Sequence, residues 1–378
     1  MRKTAIVFFV AFLIALSFSA CSRNDSSKQE TGSVFIGLAM PETHVQRWIK
    51  DGAALKMHAE SRGYRAETAF ANMDQELQNR QIRDFLKAGA RLIVIGSINE
   101  GVLPAVAEAA KQKVDVIAYD RIISNSADYD YYITFNNYKV GQFQGQGLED
   151  GLNLRNADAA NPKYIALFAG SPTDGNAFFF YDGAMSVLNP YIKKGVLKVV
   201  GPYPETSKDK NGFMAIATEN WQAPIAKARM EKLLKEDAKN ITIDAVLAPN
   251  DTLARAIIEA LKSDPKYGVG KWPLVSGQDA EVDSILAIKN GEQYMTIFKD
   301  TAKLAEAAVM LADEILKGNK NPVIPGAVLA SGDLLSIGDT GRKVVKAFLL
   351  EPVFINNNNW HFPVQAGFFT PEEEIRLK

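Results

Sequence analysis

The sequence predicts an α/β protein with two Rossmann-like lobes, each built on an open parallel sheet. Short runs of β-branched and other apolar residues alternate with stretches of helical period. That alternation is the signature of parallel strands joined by right-handed helical crossovers. The chain has 378 residues and is 47% hydrophobic, more than one core of about 250–300 residues holds comfortably. The alternation also runs in two successive blocks, so two lobes with a cleft between them are expected.

The first residues stand apart from the fold. Arg2 and Lys3 precede the apolar run Ala5–Leu16, and small residues lead to Cys21. This is the layout of a secretory signal peptide over residues 1–20, too short for a comfortable membrane span. Cys21 is the only cysteine, and its setting resembles a bacterial lipobox, which implies lipidation of Cys21. A free thiol is otherwise unusual in an exported chain. Residues 21–33 are polar and read as a flexible tether.

The first block then follows in order. Residues 34–40 read as a strand, 45–62 as a helix ending near Gly63, and 64–70 as extended chain. A helix over 74–88 carries Leu77, Ile82, Phe85 and Leu86 on its apolar face, and 91–97 is a buried strand. A helix over 101–112 and the strand 114–120 close the block. The second block has helices at 138–152, 176–188, 224–235, 252–261, 281–289 and 301–317. Its strands or extended segments fall at 164–169, 197–200, 245–248, 274–277 and 294–298.

In open α/β sheets, ligands bind beyond the carboxyl ends of the strands. Arg47 and Trp48 follow the first strand, and Asp120 with Arg121 follows the strand at 114–120. Gly170–Asn176 and then Phe178, Phe179 and Phe180 follow 164–169. Asn250 and Asp251, Gln278 and Asp279, and Lys299 follow the later strands. Each has a plainer role available. Asp174, Asn176, Asn250 and Asp251 could cap helices, Asp120 and Arg121 could form a terminal ion pair, and Trp48 and Trp221 could be packing residues. Three consecutive phenylalanines on a helix span too much of its circumference to face one core, so at least one belongs in or beside the cleft. The recurrence at many strand ends favours a site. Planar donors and acceptors with aromatic faces suit a ligand that carries several hydroxyls on apolar C–H faces.

Composition excludes other classes. The 43 basic and 44 acidic residues give a net charge of −1, with no basic cluster that would suit nucleic acid. His44, His58 and His361 are far apart, and one cysteine permits neither an intrachain disulfide nor a multi-cysteine zinc site. No P-loop, GxSxG or HExxH occurs, and the glycines of Gly141–Gly147 lie within a helical stretch rather than after a strand. No enzyme activity is expected. A secreted glycosidase acting through two carboxylates is the catalytic alternative.

The segments RWIKDG (Arg47–Gly52), IAYDR (Ile117–Arg121), GSPTDGNAFFFYDGAMSVL (Gly170–Leu188), SGQDAE (Ser276–Glu281) and IFKDT (Ile297–Thr301) together resemble bacterial periplasmic sugar-binding proteins of the type I solute-binding fold. The resemblance covers residues 34–378 and is nearest to the xylose-binding and multiple-sugar-binding proteins. It implies ligand contacts from Arg47, Trp48, Asp120, Arg121, Asn176, Phe178 or Phe179, Trp221, Asn250, Asp279 and Lys299. It implies a three-stranded hinge near residues 135–137, 297–300 and 350–353. One lobe is then 34–135 plus 300–350, and the other 136–299 plus 351–378. The expected ligand is an aldose monosaccharide of the xylose, glucose or galactose type, with no cofactor. No metal is expected either, because the chain lacks a DxDxDG-like loop. The expected partners are an ABC importer permease and, alternatively, a chemoreceptor or sensor kinase. The protein is expected to be a monomer held at the membrane in the periplasm by the lipid on Cys21. A repressor with the same lobes would need a helix-turn-helix head where the signal and tether stand.

Overall fold

The computed structural model describes residues 33–377 apart from His44, Gln46 and Val269. The signal peptide, Cys21 and its lipidation, the tether before Ser33, and His44 lie outside the described residues. The first half alternates as expected: β1 (Phe35–Met40), α1 (Arg47–Ser61), β2 (Arg65–Phe70), α2 (Gln75–Lys87), β3 (Leu92–Ile95), α3 (Leu103–Lys111) and β4 (Asp115–Tyr119). β5 (Tyr131–Phe135) comes next, then α4 (Asn137–Gly151), β6 (Lys163–Leu167), α5 (Gly175–Lys193), β7 (Leu197–Val200), α6 (Lys210–Ile216) and α7 (Ala223–Lys235). The chain continues through β8 (Ala245–Leu247), α8 (Asp251–Lys262), β9 (Leu274–Val275), α9 (Val282–Lys289), β10 (Met295–Phe298) and α10 (Thr301–Leu316). β11 (Val328–Leu329), β12 (Lys346–Leu350), β13 (Val353–Asn356), α11 (Phe362–Gln365) and α12 (Pro371–Leu377) finish it.

The first sheet has the order β11-β12-β5-β4-β3-β1-β2, and only β11 pairs antiparallel. Its central strands are apolar on both faces because helices cover both, as parallel sheets require. One face packs under α1 and α10, where Leu38, Val94 and Ile117 meet Leu55, Leu304 and Leu311. The other packs under α2 and α3, where Ile93 and Ile95 meet Ile82, Phe85 and Val106. The second sheet has the order β7-β6-β8-β9, all parallel. Tyr294 N donates to Val275 O (3.0 Å) and Ile297 N to Gly277 O (3.2 Å), so β10 extends this sheet, and β13 closes it antiparallel to β10.

The chain passes between the two sheets three times. It leaves β5 of the first sheet for α4, leaves β10 for α10 under the first sheet, and leaves β12 for β13. Tyr131–Phe135, Lys346–Leu350 and Val353–Asn356 are strands that the alternating pattern does not reveal. No helix separates β4 from β5, and long irregular segments lead to β12, so the periodicity that marks the other strands is interrupted there. Helix α5 runs through Pro190 to Lys193 rather than ending at residue 188.

The glycines of the GQFQGQG stretch set how α5 is held. A Cβ on Gly141 would lie 2.0 Å from the Phe180 carbonyl oxygen, and one on Gly183 would lie 2.1 Å from that of Tyr138. α4 and α5 therefore approach backbone to backbone, which fixes the helix whose first turn reaches the cleft. Gly183→Ala must push the two helices apart. Overpacking costs about 1–3 kcal/mol in a core, and contact with backbone places this change at the upper end. Urea unfolding of the purified variant checks it; a loss below about 0.5 kcal/mol contradicts the close packing.

Candidate functional site

The carboxyl ends of both sheets face one another, and the residues that follow them converge. Arg47, Trp48, Asp120, Arg121, Asn176, Trp221, Asn250, Asp279 and Lys299 line a single small cavity.

Three of these residues have backbones that side chains other than glycine rarely adopt. Asp120 has φ 61°, Trp221 φ 56° and Asp279 φ 97°. Such conformations cost about 1–3 kcal/mol each and persist where the surroundings hold them. At Asp120 the carbonyl oxygen accepts from Tyr132 Oη (2.9 Å), Thr134 Oγ1 (2.9 Å) and Asn176 Nδ2 (2.8 Å). The last donor comes from α5, beside the second sheet, so the turn is clamped from both sides of the cleft. Asp279 N donates to Ile297 O (2.8 Å). Trp221 packs against Gly170, where a Cβ would come within 2.0 Å of the indole, and its Nε1 donates to Asp174 Oδ2 (3.2 Å).

Capping and lining coincide. Asn250 Oδ1 accepts from Leu253 N (3.0 Å) at the start of α8 while the residue faces the cavity. Asp174 Oδ1 accepts from Asn176 N (3.0 Å) at the start of α5. Asn176 Oδ1 accepts from Asn137 Nδ2 (2.7 Å), with Tyr132 Oη 3.2 Å away, while its Nδ2 crosses the cleft to Asp120 O (2.8 Å), so most of that amide is committed.

The aromatic expectation needs a correction. Phe178 and Phe179 do not line this cavity, and Phe180 does. Phe178 is tilted against Phe213 with ring centroids 4.8 Å apart, and Phe179 packs on the outer apolar cluster of the first sheet. Successive helical residues are separated by about 100°, and the direction of α5 turns the third ring of the triplet inward. Lys299 Nζ lies 5.4 Å from its centroid. Asp174, Gln278 and Val45 also line the cavity. Gln278 was visible as the residue before Asp279 at a strand end, and Asp174 as part of the strand-end segment Gly170–Asn176; Val45 carries no separate sequence signal.

Three cations and three carboxylates share the lining: Arg47, Arg121 and Lys299 with Asp120, Asp174 and Asp279. Arg47 Nη2 bonds Asp120 (2.9 Å) and Asp51 (3.0 Å), Lys299 Nζ meets Asp279 (2.9 Å), and Arg121 Nε meets Asp174 (3.1 Å). The guanidinium carbons of Arg47 and Arg121 lie 4.8 and 5.1 Å from the Trp48 ring centroid. Burial alone would raise the Asp120 pKa, but the charges of Arg47, Lys299 and Arg121 outweigh it and hold the carboxyl below its usual value. Burial raises Asp51 despite its bond to Arg47. Burial lowers Arg47, and Asp120, Asp51 and Asp279 more than reverse that. Around the cavity, Arg47 Nε and Gln278 Oε1 are buried without a hydrogen-bond partner in the protein.

Among the described residues no cluster of His, Cys, Asp and Glu could hold a metal, and no helix is long and apolar enough to cross a membrane.

The lowered Asp120 pKa fixes a sign. A depressed carboxyl contributes stability above its unfolded value, about 3.9, and loses it as pH falls through the folded value. The stability difference between parent and Asp120→Asn should therefore shrink as pH is lowered from 6 to 3. Urea unfolding across that range measures it, and a difference that grows on acidification contradicts the assignment.

Two sheets whose carboxyl ends enclose a polar, aromatic-lined cavity between them define a cleft-type ligand-binding protein. Residues 36–320 match the periplasmic binding protein domain family, and the chain belongs to it. The multiple sugar-binding periplasmic protein SbpA of Azospirillum brasilense is 40% identical, the match covering 89% of each chain. The D-xylose-binding periplasmic protein of Escherichia coli K12 is 35% identical over 90% of this chain and 92% of its own. An ABC transporter solute binding protein from Clostridium phytofermentans with bound β-D-glucose superposes with a TM-score of 0.79 at 35% identity. That match covers 90% of this chain and 99% of the other. The fold is that of type I periplasmic binding proteins, a family of solute-binding proteins rather than enzymes.

Proposed function

We propose that this protein binds a neutral aldose monosaccharide of the xylose, glucose or galactose type in the cleft and delivers it to an ABC importer. The single observation that carries this reading is the balanced lining of the cavity: three carboxylates and three cations, with rings from Trp48, Phe180 and Trp221. A charged ligand would meet as much repulsion as attraction there. A polyol meets donors and acceptors in alternation, and charge-assisted hydrogen bonds are roughly twice as strong as neutral ones. Apolar C–H faces of a pyranose fit against aromatic rings. The names of the relatives point the same way.

The lobes in this reading are 34–135 plus 300–350 and 136–299 plus 351–378, hinged near 135–137, 297–300 and 350–353. Hinge closure around a ligand is the handling expected of periplasmic binding proteins. Sugar favours the closed form because only there does it touch both sides. The importer would recognise that form. The N-terminal signal and the setting of Cys21 support export to the periplasm and a lipid anchor at Cys21. Arg47, Asp120, Arg121, Asn250, Gln278, Asp279 and Lys299 would bond the hydroxyls.

Thermal-shift titration with D-xylose, D-glucose, D-galactose, L-arabinose and D-ribose tests this, since a ligand that binds only the folded state raises its stability by mass action. At least one aldose should raise the melting temperature. Gln278→Leu removes an acceptor without stranding a charge. It should weaken that aldose at least about tenfold, or about 1.4 kcal/mol, with the ligand-free melting temperature nearly unchanged. No shift with any aldose would remove the carbohydrate reading; a full shift in Gln278→Leu would remove Gln278 from the site.

A further inference from the structure

The monosaccharide cavity has a larger neighbour. A second, larger cavity lies beside it, and the two share Arg121 and Asp174 in their linings. Both sides of the cleft build the outer space. Asn99, Glu100 and Ser124 come from the segments after β3 and β4, while Thr173 and Phe178 belong to the entrance and first turns of α5. Phe178, which does not reach the inner cavity, therefore has a place in the outer one.

The shared wall is uneven. Asp174 is fixed: it caps α5 through Asn176 N (3.0 Å) and accepts from Trp221 Nε1 (3.2 Å). Arg121 keeps part of its hydrogen-bonding capacity unused. Its Nη1 bond to Ser97 O is 3.3 Å, its Nη2 lies 3.9 Å from Glu42, and its Nε sits 3.1 Å from Asp174 without hydrogen-bond geometry. Its Nε therefore has a hydrogen not taken up by the protein, beside both spaces. The outer lining offers a hydroxyl at Ser124 and at Thr173, an amide at Asn99, a carboxylate at Glu100 and an aromatic ring at Phe178, and its one cation is Arg121 itself. That chemistry accepts a second neutral ring and disfavours an anion.

Resting on the carbohydrate reading above, we propose that the two cavities are successive subsites, so that the protein also takes neutral glycosides. The first ring occupies the inner cavity. The second sugar ring, or an aryl group, lies in the outer one, and Arg121 donates from its unpartnered Nε to the linking oxygen. Asp174 stays in place as the fixed side of the passage.

Isothermal titration calorimetry of the full chain separates the outcomes. The probes are D-xylose, D-glucose and D-galactose, then xylobiose, cellobiose, lactose and the α and β 4-nitrophenyl glycosides of the three sugars. At least one glycoside should bind within about tenfold of its parent sugar. Ser124→Trp fills the outer space from a half-buried position, and Thr173→Trp fills it from an exposed one. Either should weaken the glycoside at least about thirtyfold while the monosaccharide changes less than about threefold. Thr173→Trp keeps the test valid if Ser124→Trp folds poorly. Monosaccharide binding with no glycoside binding overturns the outer subsite alone, as does equal weakening of both ligands in Thr173→Trp. No heat from any probe overturns the carbohydrate reading beneath it.

Discussion

The clamp on Asp120 is the interaction on which the site depends. At the end of β4 the backbone turns into a left-handed conformation, and its carbonyl collects hydrogen bonds from Tyr132, Thr134 and Asn176. Two of those donors belong to the neighbouring strand β5, and the third comes from α5 across the cleft. The same residue offers its carboxylate to Arg47. One amino acid thus joins the end of a strand, the facing helix and the charged lining. α5 can deliver Asn176 only because its glycine contact with α4 fixes its position.

Buried charges explain why the cavity should remain committed to a ligand. An ion pair removed from water rarely repays its desolvation unless further hydrogen bonds satisfy it. Arg47, Asp120, Asp279 and Lys299 are paired, yet Arg47 Nε and Gln278 Oε1 find no hydrogen-bond partner among the protein's own groups. In the proposed function, ligand hydroxyls complete that network. The direct cross-cleft contacts, Arg121 with Asp174 and Asn176 with Asp120, would then act beside the sugar in favouring closure. Closure is worth only the difference between what the sugar touches in the closed and open forms.

Much of this was legible in the sequence. The alternation of strands and helices gave both sheets, because parallel strands are buried on both faces and their helices carry the matching period. Strand-end chemistry pointed to Arg47, Asp120, Arg121, Asn250, Asp279 and Lys299, which line the cavity, since topology alone brings such ends together. Less could be read where helical phase decides. FFF at 178–180 promised one inward ring, but the angle of α5 selects Phe180, and that angle rests on a helix contact distant in the chain. β5, β12 and β13 were hidden because no helix precedes β5 and irregular chain precedes β12. Asp174 read as a cap and is one; its place in the lining follows from how the two sheets face each other.

Hydrogen exchange with and without a saturating aldose tests most directly whether one ligand bridges the two sides. The account predicts simultaneous slowing of amides near Asp120 and Arg121 after β4, in the first turn of α5, and near Asp279 after β9. Slowing confined to the ends of one sheet, or absent from both while sugar is bound, would contradict it.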